Sequence, residues 1–359
     1  MGIFTLALLC YYKRLRSRRY ITSSCLPDPK ESAWSILWKN GDDLSFISLT
    51  GFDRQSFIEL HDYIFENYNF NSTGRKSKLD THAKLGLLLH FLNSTMKLKT
   101  LCQIFGVSQS TVSRELSKMS RLTLDRLYQH PKAKIVWPNQ KSKAEFAEMI
   151  RSRQPEIENA FGFLDGLALS VECSSEEQNP YYNGWYSDTS VNNILVFSPF
   201  GKVMYAAVNY YGSWHDAHVS SDLLRNYLND DGYSLIADSA FPAKGEFKGR
   251  ILKPIKKLSR DPLVADSQRI RSSAIVSLRQ AVEWGMRTLQ ATFSRLKLRL
   301  SSDKDKRHDI IMLTLLLHNF RTHNMGINQI RTVFSPNYEA HLRDESYDRI
   351  ARYYNINEE

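Results

Sequence analysis

The sequence predicts an all-α domain followed by an α/β domain whose sheet mixes parallel and antiparallel strands. Apolar residues recur at helical spacing from about residue 45 to residue 127, whereas short β-rich runs bounded by Gly, Pro, Asn or Asp fill residues 161–254. One helical stretch, about 216–228, interrupts these runs, and this order favours a mixed sheet over a doubly wound parallel one. We therefore expect two domains of different fold class.

The composition of the chain is that of an ordinary globular protein. Its 359 residues leave room for two or three domains, and 42% hydrophobic with 24% charged residues excludes a disordered or fibrous chain. Its apolar runs fall short of the ~18–20 residues that cross a bilayer, so we expect no membrane partner. The four cysteines form no CxxC pair, which argues against a cysteine zinc site and a disulfide scaffold.

Residues 1–35 are expected to form a basic leader. The chain has 48 Lys and Arg against 38 Asp and Glu, and this net charge of +10 weakly favours a polyanionic partner. Five basic residues follow the apolar stretch GIFTLALLCYY: Lys13, Arg14, Arg16, Arg18 and Arg19. The cluster fits a nuclear-import signal or a phosphate-binding arm, with a short signal anchor or a loose terminus as alternatives. We expect the protein in the nucleus.

Residues 36–130 are predicted to be a helical DNA-binding domain. Within it, residues 98–119 predict a helix-turn-helix, because Gly106 permits a turn with positive φ and Ser108 is a good N-cap for a second helix. The outward side chains of that second helix suit base edges and phosphates: Gln109, Ser110, Ser113, Arg114 and Lys118. A plain helical hairpin with a polar outer face is the alternative.

A Lys-rich, Pro-flanked passage at 131–158 is interpreted as a linker, and residues 159–330 as the α/β domain. Its strand candidates are FGFLDG, NILVFS, KVMYAAVNYY, YSLIAD and RILKP. A long helix follows, whose apolar residues step by three or four: Leu278, Val282, Met286, Leu289, Phe293, Leu296 and Leu300. A further helix is expected around 309–320, and residues 331–359 form a C-terminal tail rich in acids.

Three acidic residues stand in unusual surroundings. Asp165 interrupts the apolar run FGFLDGLAL, Asp238 ends the run YSLIADSAF, and Glu283 lies beside the apolar stripe of the long helix. A carboxylate buried without a partner is costly, whereas Mg²⁺ takes oxygen ligands and binds phosphate. We therefore predict that the three carboxylates converge on divalent metal. The alternatives are a turn-forming role for Asp238 and pairing of Glu283 with Arg279 or Arg287.

Over residues 45–330 the chain resembles PIF/Harbinger-type DDE transposases in five successive motifs: DG at 165–166, GSWHDAHV at 212–219, IADSAFP at 236–242, RQAVEWGMRTLQATFSRLK at 279–297 and LLHNF at 316–320. The resemblance implies an RNase H-like catalytic core, two Mg²⁺ or Mn²⁺ ions, and Asp165, Asp238 and Glu283 as the catalytic, metal-binding triad. It also implies nicking of double-stranded DNA at transposon ends, strand transfer to a target site, and a separate Myb/SANT-like accessory protein. Action as a homodimer is a further expectation.

The chain departs from the family pattern in three places. Leu167 stands where Thr is common, Phe241 where Tyr is usual, and the segment NGWYSDTSVNN replaces a stretch with a basic pair. Trp185 and Tyr186 of that segment, with Tyr181 and Tyr182 just before it, suit stacking on unpaired bases, or packing beneath a loop. The lost basic pair favours a rival hypothesis, a domesticated DNA-binding regulator without transposition activity. A general RNase H-like nuclease is a third.

The cluster WHDAH at 214–218 also admits two interpretations. His-x-x-His on a helix can bind zinc, but we expect Asp216 to cap the following helix and His215 to line the edge of the active site. His318 and Asn319 are expected to be core and cap residues without a chemical role.

Overall fold

The computed structural model describes residues 3–17, 21–68, 77–174, 176, 178–228, 231–243, 247–255, 257–336 and 339. The chain divides into a helical unit, residues 1–127 with 292–295, and a sheet unit, residues 128–291 with 296–359. Arg18 and Arg19 of the basic cluster and most of the predicted tail lie outside the described residues. Within the described part, every helix is too short or too polar to cross a membrane.

The described part of the helical unit consists of α-helices and their connections: α1 (Ile3–Ser17), α2 (Ala33–Asn40), α3 (Asp43–Thr50), α4 (Arg54–Phe65), α5 (Thr81–Asn93), α6 (Leu98–Phe105) and α7 (Gln109–Leu127). Side-chain caps fix several of the starts. Asp42, Asp53 and Asp80 each accept a hydrogen bond from the backbone N–H three residues further on, which satisfies an otherwise unpaired donor.

Aromatic side chains form the core of the helical unit. One of them, Trp34, shows that the predicted boundary between the leader and the domain is wrong. Trp34 stacks on Phe105 at a ring-centroid distance of 5.4 Å and also contacts Phe46. A Cβ on Gly86 would overlap the Trp34 ring, so this glycine lets α5 approach closely. Because Trp34 is buried, the folded unit begins before residue 36. The leader is also not loose throughout, since residues 3–17 form a helix.

The sheet unit contains six described strands: β1 (Ala160–Ser170), β2 (Tyr182–Asn183), β3 (Asp188–Phe197), β4 (Val203–Tyr211), β5 (Ser234–Ala237) and β6 (Ile251–Leu252). The order is β4-β3-β1-β5-β6, with β2 also paired to β3. β3 is antiparallel to β1 and β4, whereas β5 is parallel to β1 and β6. The predicted mixed sheet is confirmed, and it is consistent with an RNase H-like core.

The described helices of the sheet unit include α8 (Gln140–Arg153), α9 (Gln178–Tyr181), α10 (Asp216–Val219), α11 (Ser221–Asn226), α12 (Pro262–Thr292) and α13 (Lys304–Met325), and residues 329–336 are also helical. Three differ from the sequence prediction. The supposed linker contains α8, which packs against β1 and buries Ala147 and Ile150. The helix expected at 216–228 is broken into two at Ser220. The apolar stripe of α12 continues beyond its end into a 3-10 turn, Ser294–Lys297.

Helices cover both faces of the sheet. On one face, Leu164 and Ile194 pack with Leu223 and Leu224 of α11. On the other, the backbone of α12 approaches Phe197 so closely that a Cβ on Gly285 would lie 3.1 Å from its ring. Burial of these apolar side chains stabilises the unit by roughly 1.5–3 kcal/mol for each large residue.

The side chains of His318 and Asn319 fix α13 to the turn between β3 and β4. The His318 Nε2 atom bonds the Gly201 carbonyl at 3.0 Å, and Asn319 both accepts from the Val203 N–H at 2.7 Å and donates to its carbonyl at 2.9 Å. Both residues are buried. They are core residues, as expected, but neither is a cap, since both lie inside α13.

Candidate active site

The sheet places Asp165 and Asp238 next to each other. β1 and β5 run parallel with Leu164 opposite Ala237, so the following residue on each chain segment is an acid. β5 ends at Ala237, and Asp238 therefore begins the loop that leaves the sheet. The Asp238 Oδ1 atom accepts a hydrogen bond from the Ala240 N–H, which fixes the side chain just beyond the carboxyl end of β5.

Asp165 is held in surroundings that oppose its ionisation. Burial is the main cause, and the negative charges of Asp238 and Asp216 add to it, so the pKa of Asp165 rises to about 6 from an ordinary 3.8. The Gly166 N–H, which donates to Oδ1 at 2.9 Å, and the Arg279 guanidinium act in the opposite direction without cancelling the shift. The raised pKa therefore reflects mainly the burial of the Asp165 carboxyl, with the two neighbouring acids as smaller causes.

Arg279 reaches Asp238 and not Glu283. Its Nη2 atom lies 4.0 Å from Asp238 Oδ2, and both side chains are about one-third exposed. Within the described residues, Glu283 forms no ion pair with Arg279 or Arg287. The alternative role of Glu283, an ion pair along α12 with Arg279 or Arg287, is thus not found among the described residues.

Glu283 and Asp165 line the same cavity, which has a volume of about 530 Å³. Glu283 is exposed on α12, and Asp188, which lines the same cavity, is tied to Arg299 and Ser170. Among the described residues, no three His, Cys, Asp or Glu side chains lie close enough together to hold a metal ion. The structure brings Asp165 and Asp238 together but does not bring Glu283 into one cluster with them.

Asp216 is a fourth acid near Asp165 and Asp238. From the sequence, this residue was expected to cap the following helix. His215 occupies the N-cap position of α10 instead, without a side-chain hydrogen bond. The Asp216 Oδ1 atom accepts from Asn192 Nδ2 at 2.6 Å, and the carboxylate lies over Gly166, where a Cβ would be 2.9 Å from both oxygens. In the sequence, Gly166 was the signal for a close approach to this strand, and the approaching group is the Asp216 carboxylate.

A second cavity, of about 930 Å³, adjoins Asp216 and Asp238. His215 lines it, as expected of a residue at the edge of the site, and the described residues provide no zinc cluster around it. Four aromatic side chains also line it, among small and polar residues: Tyr182, Trp185, Tyr186 and Trp214. Tyr181, by contrast, is buried against Tyr211.

The predicted helix-turn-helix segment forms two helices, α6 and α7, joined at residues 106–108. Gly106 has φ +69°, as the turn requires. Four of the five candidate DNA-contacting residues are exposed on α7: Ser110, Ser113, Arg114 and Lys118. Gln109 is half-buried, and its Oε1 atom is shielded from solvent. Its side chain is therefore less available for a base than the sequence suggested, and DNA contact by α7 stays a prediction.

Residues 164–319 match the family model described as DDE superfamily endonuclease. The matched segment contains all three predicted catalytic acids and supports placing the sheet unit in this superfamily. Endonucleases of this superfamily act on DNA and generally use divalent metals. No curated protein and no solved structure matches the chain.

Proposed function

We propose that this chain is a metal-dependent DNA transposase of the PIF/Harbinger type, which binds transposon ends, cleaves phosphodiester bonds and transfers strands. One observation carries the proposal. Asp165 in the central strand β1 lies beside Asp238, which directly follows β5, and Glu283 lines the same cavity as Asp165, inside the segment that matches the endonuclease family.

The chemistry of these side chains suits a hard divalent cation. Asp165, Asp238 and Glu283 offer only oxygen donors, which Mg²⁺ and Mn²⁺ prefer. Burial, and to a smaller extent the neighbouring acids, raise the pKa of Asp165, and a bound cation would favour the ionised carboxylate there. When bound, the metal ions would activate a water or 3′-hydroxyl and stabilise the leaving oxygen. Glu283, exposed on α12, is the ligand proposed to complete the set.

The neighbouring residues arrange and balance these acids. Asn192 holds the Asp216 carboxylate, and Gly166 leaves the space that this carboxylate occupies. Arg279 offsets part of the charge beside Asp238 and is placed to contact a substrate phosphate. These contacts join β3 to α10, and α12 to the loop that follows β5, beside the proposed cleavage centre.

We further propose that the exposed face of α7 binds double-stranded DNA at the transposon end. Arg114, whose side chain is 70% exposed, is the candidate for contact with a base edge, and Lys118 for contact with phosphate. We also propose action in the nucleus, for which the basic cluster argues, and action as a homodimer. A Myb/SANT-like protein of the same element is the partner that the resemblance implies.

The rival function is a domesticated DNA-binding regulator, favoured by the missing basic pair around Trp185. Inverted repeats that flank the gene would supply the test substrate. The full chain, with the Myb-like protein present, is incubated with a labelled end duplex and a plasmid target, in Mg²⁺ or in EDTA. We expect Mg²⁺-dependent nicking and joining of the end to the plasmid. End binding without nicking in Mg²⁺ or Mn²⁺ would assign the chain to the regulator.

A further inference from the structure

The larger cavity beside the acids has an unusually exposed aromatic wall. Trp185 is 90% exposed, Tyr186 59%, Tyr182 45% and Trp214 38%, and all four line this one cavity. Single exposed apolar side chains are ordinary on protein surfaces, whereas a cluster of large ones marks a place where something binds. Because Trp185 is almost fully exposed, the alternative that it packs beneath a loop is wrong for this residue.

The turn that carries Trp185 is held by specific bonds. Asn183 Oδ1 accepts from the Trp185 N–H at 2.9 Å, and Asn183 Nδ2 donates to the Gly212 carbonyl at 2.8 Å. Ser187 adopts φ +51°, a left-handed conformation that a non-glycine residue rarely takes. The hydrogen bonds thus fix the backbone of the turn that carries this indole, next to a residue whose backbone conformation costs free energy.

The aromatic wall continues to the predicted catalytic acids. Tyr186 lines both the larger cavity and the smaller one that contains Asp165 and Glu283. Burial, and to a smaller extent the negative charges of Asp216 and Asp165, raise the pKa of Tyr186. A ligand on the wall would therefore lie next to the proposed cleavage centre.

The charged residues around the larger cavity indicate which part of a nucleotide, the phosphate or the base, it would bind. Its described lining includes Asp216 and Asp238 but no Lys or Arg, so it offers a phosphate no cationic side chain of its own. A neutral nucleobase presents a π-face that stacks on Trp and Tyr without regard to sequence. Bases in duplex DNA are hidden in the helical stack, so only an unpaired base could reach this wall.

We propose that the wall formed by Tyr182, Trp185, Tyr186 and Trp214 stacks an unpaired nucleobase of the DNA strand next to the bond that is cleaved. This inference rests on the proposed function, which makes DNA the substrate, and names the form of DNA that the site accepts. Trp185 is then a substrate-positioning residue, and its effect is on binding of distorted or single-stranded DNA.

The test compares a forked duplex with a fully paired duplex of the same sequence, using Ca²⁺ in place of Mg²⁺ so that binding is measured alone. The forked probe carries 2-aminopurine in its unpaired strand at the junction. We expect the full chain to quench this fluorophore. Trp185→Ala should weaken binding of the fork by about 5- to 150-fold, the range for one stacked base, and leave the paired duplex unaffected. Trp185→Phe should retain most of the affinity.

Tyr128→Ala is the matched control, because Tyr128 is 44% exposed in the same unit and lines neither cavity. Melting temperatures check that each variant is folded. The inference is wrong if Trp185→Ala binds the fork as tightly as the original chain, or if the original chain leaves the fluorophore unchanged, even when it nicks DNA in Mg²⁺. If the fork signal depends on Trp185 but no nicking occurs, the base site stands and the nuclease assignment fails.

Discussion

Replacing Gly166 by alanine tests whether the acidic centre is packed as described. The new Cβ would lie 2.9 Å from both carboxylate oxygens of Asp216, against an ordinary contact of at least 3.4 Å, so about 0.5 Å must be gained. Asp216 can yield only by weakening its 2.6 Å hydrogen bond with Asn192. Overpacking and a lost charged hydrogen bond each cost ~1–3 kcal/mol. Because Asp216 is half-buried, we expect the lower part of that range, about 1–2 kcal/mol.

Urea unfolding and thermal melting measure this cost. For a domain of 150–250 residues, 1–2 kcal/mol corresponds to a fall of about 2–8 °C in melting temperature. Gly184→Ala is the matched control, since a Cβ at Gly184 meets nothing within 4 Å and its φ is not positive. That variant should be unchanged or slightly more stable, because alanine lowers the entropy of the unfolded chain.

A second substitution shows whether the clash involves Asp216. In the double variant Gly166→Ala with Asp216→Ala, the clash is removed, and the two effects should couple by about 1 kcal/mol or more in favour of stability. If Gly166→Ala is as stable as Gly184→Ala, or if Asp216→Ala gives no rescue, the placement of Asp216 over β1 is wrong.

Two further predictions concern the helical unit and α13. Arg114→Ala should weaken binding of the transposon end by roughly 1–3 kcal/mol, whereas Lys118→Ala should lower affinity for all sequences alike, with steep salt dependence, in filter-binding or anisotropy assays. His318 is buried, and burial lowers its pKa to about 4 from 6.5. The unfolded chain binds this proton first, so stability should fall as pH drops from 6.5 towards 4, by roughly 3 kcal/mol.

Controls exist for both. Lys39→Ala removes an exposed charge of α2 and should leave DNA affinity nearly unchanged. Equal losses of affinity in Lys39→Ala and Arg114→Ala would show that α7 is not the DNA-binding surface. His318→Gln cannot titrate, so the stability of the original chain minus that of His318→Gln should decline below pH 6.5. A difference that is constant from pH 7 to pH 4 would contradict a neutral, buried His318.

The strands and the two adjacent acids were predictable because their signals are local. Apolar runs bounded by turn residues gave the strands, and an acid within or just after such a run drew attention to Asp165 and Asp238. Asp216 was misassigned because its position over Gly166 arises only when β1 and α10 pack together. Helix α8 was taken for a linker because its many Lys and Glu residues conceal the few apolar positions, such as Ile150, that face β1.

The central claim is that Asp165 and Asp238 bind the metal that cleaves DNA, and plasmid nicking tests it most directly. Supercoiled plasmid is incubated with the full chain, Asp165→Asn, Asp238→Asn or Asp188→Asn, in Mg²⁺ and in EDTA. Asp188→Asn is the control, because Asp188 lines the same cavity as Asp165 but is already paired with Arg299. We predict Mg²⁺-dependent nicking that falls by roughly 100-fold or more in the first two variants and persists in Asp188→Asn. Nicking by Asp238→Asn at the rate of Asp188→Asn would contradict the account.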